Sequence, residues 1–346
     1  MKDALLCIDF WNVGQGDCSV ITLPSGELII IDVGPRGSPL VEWLREGHRQ
    51  DLRIAAIVVT HNDADHIGSL PAIIREFKSR ISTIWMLVDR PKNDAKFQKL
   101  FRIVADGENQ GAYKILRLEA GHQIWHHAVS KTEIRVLHPT MSQNLLATDS
   151  NSTCGLIVLE SNGRTLVVWP GDLELRMTAK HLGGVRPSVL FGPHHGGPTD
   201  YPSRAVRRRN RAEHNHRHTQ QVISAAQALA PKVNFISVAT RNNYSHPRPG
   251  FLRLMGRQNA CVVCTQLTTS CDRRRVLAER PVFEGAGALG LRAPKTGVSC
   301  RGAMRVFVCE GEVHLDQFMS AHFEAVQQLA HPRCRQKQSP DFELSW

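Results

Sequence analysis

The stretch that most constrains this chain is Thr60-His61-Asn62-Asp63-Ala64-Asp65-His66, which packs four potential metal ligands into six residues directly after the apolar run Ile54-Ala55-Ala56-Ile57-Val58-Val59. That run is short, β-branched and almost wholly apolar, which suits a strand buried on both faces better than a surface helix. The cluster therefore falls at the C-terminal end of a buried strand. Such ends open onto crevices in α/β sheets, and a rigid sheet holds the polar groups of their loops in place. Gly68-Ser69-Leu70-Pro71 reads as a turn into a helix from Ala72 to Phe77, so Asp65 and His66 sit just before a helix start. Imidazole and carboxylate are ligands that zinc, manganese and iron accept. Taken singly, Asp and His are ordinary loop and cap residues. Four at this spacing after a buried strand read as half of a two-metal hydrolase site.

His61-x-Asp63-x-Asp65-His66 resembles the signature of the metallo-β-lactamase fold, in the variant where Asp replaces the second His. The flanking pieces match as well. Phe10-Trp11-Asn12-Val13-Gly14-Gln15-Gly16-Asp17-Cys18 with Ile29-Ile30-Ile31-Asp32-Val33-Gly34 resembles the first hairpin of that fold. Val167-Val168-Trp169-Pro170-Gly171-Asp172 resembles the strand that delivers a metal-bridging Asp, and Phe191-Gly192-Pro193-His194-His195-Gly196-Gly197 resembles the late His loop. Together with Ser237-Val238 and Asn243-Tyr244-Ser245-His246-Pro247, these motifs run in order over about residues 5 to 255 and resemble the hydrolase domain of the ComEC-like branch.

The resemblance implies two divalent ions, zinc or manganese. One site would combine His61, Asp63 and the bridging Asp172, with Asn151 or a water; the other would combine Asp65, His66, Asp172 and either His194 or His195. Many members of the wider fold place a His between the first cluster and the bridging Asp. Here Asp149-Ser150-Asn151-Ser152-Thr153 has none, and the ComEC-like branch shows a similar Asn/Ser-rich segment. Asp17 and Asp32 are expected to orient ligands rather than to bind metal. Asp65 and His246 are the expected catalytic residues, His246 as a proton donor or, beside Asn243, a contact to substrate phosphate. A structural turn before Pro247 is the competing reading of His246.

A chain of 346 residues can bury a large core. The strand and helix signals form two β-rich halves covered by helices, which makes an α/β four-layer αββα sandwich the expected fold. Residues 1–255 are read as the hydrolase domain and 256–346 as a C-terminal extension. No apolar run approaches the roughly 20 residues needed to span a bilayer, and the N-terminus lacks a signal-peptide pattern, so a cytoplasmic location without membrane contact is expected.

Lys and Arg total 43 against 32 Asp and Glu, a formal net charge of +11. A basic surface attracts polyanions, which makes nucleic acid, and DNA first, the expected partner. Arg204, Arg207, Arg208, Arg209, Arg211 and Arg217 cluster in an Arg/His-rich insert at about 203–218. Arg207, Arg208 and Arg209 are the expected phosphate contacts; a solvated insert that touches nothing is the alternative. Nine cysteines without a secretory signal argue against a disulfide framework. Cys264, Cys271, Cys300 and Cys309 could hold a structural zinc or could equally be small buried hydrophobes.

Two ions close together can activate a water near neutral pH and stabilise the charge that builds in the transition state. The expected function is a metal-dependent phosphodiesterase, a nuclease acting on DNA. The alternative is a hydrolase of a small ester, lactone or nucleotide, since one scaffold serves many chemistries. Substrate binding that weakens steeply with salt would separate the first from the second.

Overall fold

The computed structural model describes residues 5–49, 51–87, 95–146, 151–197, 211–332 and 334. Strands β3 (Leu28–Val33) and β4 (Ile54–Val58) are apolar throughout because both of their faces are covered. In β3, Leu28 and Ile30 enter one core and Ile29 and Ile31 another, as the two-residue period of a strand requires. In β4, Ile57 joins the first core and Ala56 and Val58 the second, while Ile54 joins the first on the far side of a register shift that sets Leu28 opposite Ile54 and Ile29 opposite Ala56.

These strands sit inside an eight-stranded sheet. Its order is β15 (Glu312–Leu315), β14 (Met304–Cys309), β1 (Leu6–Phe10), β2 (Cys18–Thr22), β3, β4, β5 (Ile81–Met86) and β6 (Lys114–Arg117). A seven-stranded sheet faces it, ordered β13 (Cys261–Cys264), β12 (Val233–Ile236), β11 (Val189–Phe191), β10 (Arg164–Trp169), β9 (Leu156–Ser161), β8 (Thr132–His138) and β7 (Gln123–His127). Each sheet changes from antiparallel to parallel pairing part-way across, at β3 in the first and at β10 in the second.

Three apolar cores define four layers. The first lies between the eight-stranded sheet and α1 (Pro39–Leu44), α2 (Ala64–Ile67), α3 (Leu70–Phe77) and α4 (Ala95–Asn109). Helix α3 shows why: Leu70, Ile73, Ile74 and Phe77 fall on one face and all are buried. The second core lies between the sheets, where Phe10 packs 5.6 Å from Phe191 and 5.4 Å from Phe235, ring centre to ring centre. The third lies between the seven-stranded sheet and α5 (Leu175–Leu182), α6 (Arg211–Leu229) and α7 (Pro249–Gly256). This is the expected αββα sandwich.

The expected boundary at residue 255 runs through both sheets. β13 pairs in parallel with β12, and β14 pairs antiparallel with β1, so segments beyond 255 complete the sandwich. Ala286, Leu291 and Ala303 enter the first core, while Leu267, Val276, Val298, Cys300, Val326 and Leu329 form a small core of their own. The buried Arg301 guanidinium ties this region together: it pairs with Asp316, donates to the Ala303 carbonyl at 2.8 Å and stacks over Phe283. Arg207, Arg208 and Arg209 lie outside the described residues. No helix among the described residues is long and apolar enough to cross a membrane.

Candidate metal centre

Buried strands deliver the polar residues at their ends. The loop after β4 carries His61 and Asp63 and leads into α2, whose first turn holds Asp65 and His66. The β1–β2 connection brings Asp17, β3 brings Asp32, the turn after β10 brings Asp172, and the turn after β11 brings His194 and His195. Backbone geometry shows what this costs. His194 (φ 48°, ψ 47°) and His195 (φ 51°, ψ 30°) are consecutive left-handed residues without the freedom of glycine. Such strain costs on the order of 1–3 kcal/mol per residue and gathers at functional sites. Gly16 faces the backbone of Asp65 so closely that a Cβ would sit 2.2 Å from its carbonyl oxygen.

Asp172 is the hub. Its Oδ2 lies 3.4 Å from His61 Nε2 and 3.6 Å from His194 Nε2, and its Oδ1 lies 3.4 Å from His66 Nε2 and 3.6 Å from His195 Nε2. Asp63 Oδ2 stands 3.9 Å from His61 Nε2, and Asp65 Oδ2 stands 3.2 Å from His195 Nε2. The two carboxylate oxygens thus face two different sets of side chains. His194 joins the His61 set and His195 the Asp65 set, so both of the alternatives left open by the motif belong to the cluster.

The donor set fits divalent ions. His61, His66 and Asp172 each offer a ligand atom within 4.8 Å of the others, and so do Asp65, His66 and His195. Nε2 of His61, Nε2 of His66 and Oδ1 of Asp172 are buried without a hydrogen-bond partner. An unmet buried polar group costs about 1–3 kcal/mol. Gaps of 3.4–3.6 Å are long for hydrogen bonds and suit nitrogens and oxygens that share an ion between them.

Two carboxylates stand behind the ligands. Asp32 accepts from the Thr60 backbone N–H at 2.8 Å and from its hydroxyl at 2.7 Å, and its Oδ2 sits 2.8 Å from His66 Nδ1. Asp17 Oδ1 lies 3.1 Å from His195 Nδ1. Asp32 therefore holds the far nitrogen of the His66 imidazole by a hydrogen bond and turns the near one inward, whereas Asp17 and His195 meet in a close charged contact without one. Asp17, Asp32 and His66 are also close enough to form a third potential metal group.

The electrostatics follow. Burial alone would favour neutral forms. Against it, His61, His66 and His195 hold Asp172 well below the usual carboxylate range, and His195 and His66 hold Asp65 low. Burial likewise works against charge on His195, but Asp17 and Asp172 raise it to about 10. Asp32 and Asp172 raise His66 well above its ordinary value in the same way.

His246 is buried beside this cluster, its ring 5.4 Å from that of His194 and 6.3 Å from that of His195. Burial first, then the neighbouring His195 and His194, push it down to about 3. It is neutral near pH 7, so the free protein holds no imidazolium there as a ready acid. Asn243 is exposed. Its neighbour Asn242 clips the loop instead, accepting from the His246 N–H at 2.8 Å and donating to the His246 carbonyl at 2.9 Å. Only the Asn four residues before the His hinted at this in the sequence. Asn151 opens a half-buried turn, Asn151–Thr153, and the next residue, Cys154, is fully buried against Asp172.

A further support comes from outside these motifs. Gln266 is buried; its amide donates to Asn12 Oδ1 at 3.1 Å, and its carbonyl accepts from the Thr240 N–H at 2.8 Å. It thereby joins the loop that carries Asp17 to the loop that carries His246. Its partners lie 254 and 26 residues away, so no local pattern announces it.

The sequence profile of the Metallo-beta-lactamase superfamily matches residues 11–204, more than half of the chain. The chain belongs to this superfamily. As a metallo-β-lactamase superfamily member, it is 23% identical over 278 residues to ComE operon protein 3 of Bacillus subtilis (strain 168), covering 75% of this chain and 31% of that protein. A shorter match, 35% identical over 57 residues, is to hydroxyacylglutathione hydrolase of Chromohalobacter salexigens and covers 16% of this chain and 21% of that protein. The chain thus spans less than a third of either relative's length. Among solved structures, it is similar to Igni18, a metallo hydrolase from Ignicoccus hospitalis (TM-score 0.45, 17% identity, 75% of this chain and 94% of that one). It is also similar to the metallo-beta-lactamase fold protein YhfI from Bacillus subtilis (TM-score 0.42, 10% identity, 74% and 95%). The superfamily and the His/Asp clusters together make the protein a metal-dependent hydrolase.

Proposed function

We propose that this metallo-hydrolase is a phosphodiesterase, a nuclease that acts on DNA with the help of two divalent ions. The observation that carries the reading is Asp172, whose two oxygens face separate groups of His and Asp ligands. His61, Asp63, His194 and Asp172 would hold one ion, and Asp65, His66, His195 and Asp172 the other. An oxygen-rich set of this kind accepts manganese as well as zinc. Two ions so held supply an activated water and a positive field for a phosphoryl group in displacement.

The remaining work falls to the chain's own side chains. Asp32 fixes the tautomer and aim of His66, and Asp17 sets a negative charge beside His195. His246, neutral and buried, acts as a hydrogen-bond donor to a substrate or leaving oxygen rather than as an ionised acid. The net charge of +11 supports a polyanionic substrate, as does the resemblance of the motifs to the ComEC-like branch.

The test is incubation of purified protein with labelled single-stranded DNA, duplex DNA and RNA in the presence of manganese, zinc or magnesium, beside a His66→Ala control. Cleavage of a polymer that disappears in the control is the expected result. Intact polymers under every metal, with bound metal verified, would reject the nuclease and leave hydrolysis of a small ester, lactone or nucleotide.

A further inference from the structure

We propose that Cys264, Cys271, Cys300 and Cys334 form a thiolate site for a structural zinc ion, which fastens the C-terminal segment to the hydrolase sandwich. The site is separate from the hydrolase centre and does not depend on what that centre cleaves.

The four residues come from four distant places in the chain. Cys264 ends β13, Cys271 lies in the helix α8 (Thr269–Leu277), Cys300 follows the bridge between Gln266 and Ser299, and Cys334 lies beyond the last helix, α9 (Met319–Gln327). All four line one small cavity, with Leu252, Leu267, Thr268 and Leu329 among its other walls. Backbone hydrogen bonds hold this convergence in place. The Cys300 N–H donates to the Thr265 carbonyl at 3.0 Å, next to Cys264, and the His331 N–H donates to the Cys271 carbonyl at 2.9 Å, three residues before Cys334. Cys334 packs against both the third core and the small C-terminal core, so it stands at the seam between them. Cys309, by contrast, ends β14 opposite Glu312 in the other sheet and does not line the cavity; the expected fourth ligand is thus replaced by Cys334.

Four thiols around one cavity are the ligand number and type of a closed tetrahedral zinc site. Burial first, and then one another's proximity, raise the thiols of Cys264 and Cys300 well above their ordinary value and that of Cys334 to about 12. Without an ion the thiols of Cys264, Cys300 and Cys334 are neutral, and zinc would expel their protons on binding. The tight ligand groups among the described residues contain no thiol, so these sulfurs stand farther apart than the atoms of the His/Asp cluster and would have to close on an ion.

The test is X-ray absorption at the zinc edge on the full-length protein produced with zinc. The hydrolase centre would offer zinc only nitrogen and oxygen from its His and Asp residues, so the expected signature is an added sulfur shell at about 2.3 Å. That shell should lose about one sulfur in four in Cys334→Ser and keep its full size in Cys309→Ser and in Cys154→Ser, the latter altering a buried thiol beside Asp172. Zinc with nitrogen and oxygen neighbours alone in the unaltered protein would overturn the site, and that measurement needs no variant to fold. A sulfur count unchanged in Cys334→Ser, or reduced in Cys154→Ser, would overturn it as well.

Discussion

At the scale of single residues, the centre is a negotiation between burial and charge. His195 titrates ordinarily near 6.5; although burial opposes its charge, Asp17 and Asp172 raise it to about 10 in the metal-free protein. The pairing therefore contributes stability that is fully present below about pH 6.5 and is lost as pH rises through about 10. Metal takes the opposite side, because ligation needs the unprotonated Nε2. Across pH 6.5 to 10, ion binding must release a proton. Manganese affinity should rise by about tenfold per pH unit for each proton released, as read by competition titration of the metal-free protein. Affinity that is flat with pH would mean that the His195 proton is not displaced. The residues legible from sequence were those clustered along the chain, His61 to His66 above all. Thr60 and Gln266 were not legible, because their roles arise only when distant loops meet, whereas Asn242 acts locally on His246, four residues on.

At the scale of elements, the strands that read clearly were those buried on both faces. β3 and β4 are apolar nearly end to end, and β9 and β10 each carry an unbroken run of four apolar residues. The edge strands β6 and β7 are half-exposed and polar, and their sequences carry no comparable signal. Helix α4 is amphipathic, but its buried Phe97, Leu100 and Val104 are spread among charged residues. The C-terminal strands were hard to place for a different reason: β14 pairs with β1 across nearly the whole length of the chain. That pairing is reinforced by Arg305, whose guanidinium donates to both carboxylate oxygens of the buried Asp9 on β1, and two ion pairs elsewhere in the fold show how burial sets the worth of such a contact. Arg301 and Asp316 are both buried, so Arg301→Met strands a carboxylate and should lower unfolding stability by about 3–5 kcal/mol. Arg45 and Glu76 form an equally short pair in solvent, 2.6 Å apart, and Arg45→Met should cost less than about 1 kcal/mol. Denaturant melts of the two variants check the contrast, and equal losses would show that burial does not set the value of the Arg301 pair.

At the scale of the molecule, two sheets place ligands from both halves of the chain into one cleft. His61 to His66 come from the eight-stranded sheet, while Asp172, His194 and His195 come from the seven-stranded sheet. Neither half holds a complete site, so the inter-sheet core centred on Phe10, Phe191 and Phe235 sets the distances on which the chemistry depends. Asp172 joins the two ligand sets, and a bridged pair of ions is the central claim. The most direct measurement is electron paramagnetic resonance of the protein loaded with two equivalents of manganese. Ions about 3.5–4 Å apart should give the spectrum of an exchange-coupled pair, which Asp172→Asn should convert to that of isolated ions. Isolated-ion signals from the unaltered protein at two bound equivalents would contradict the account.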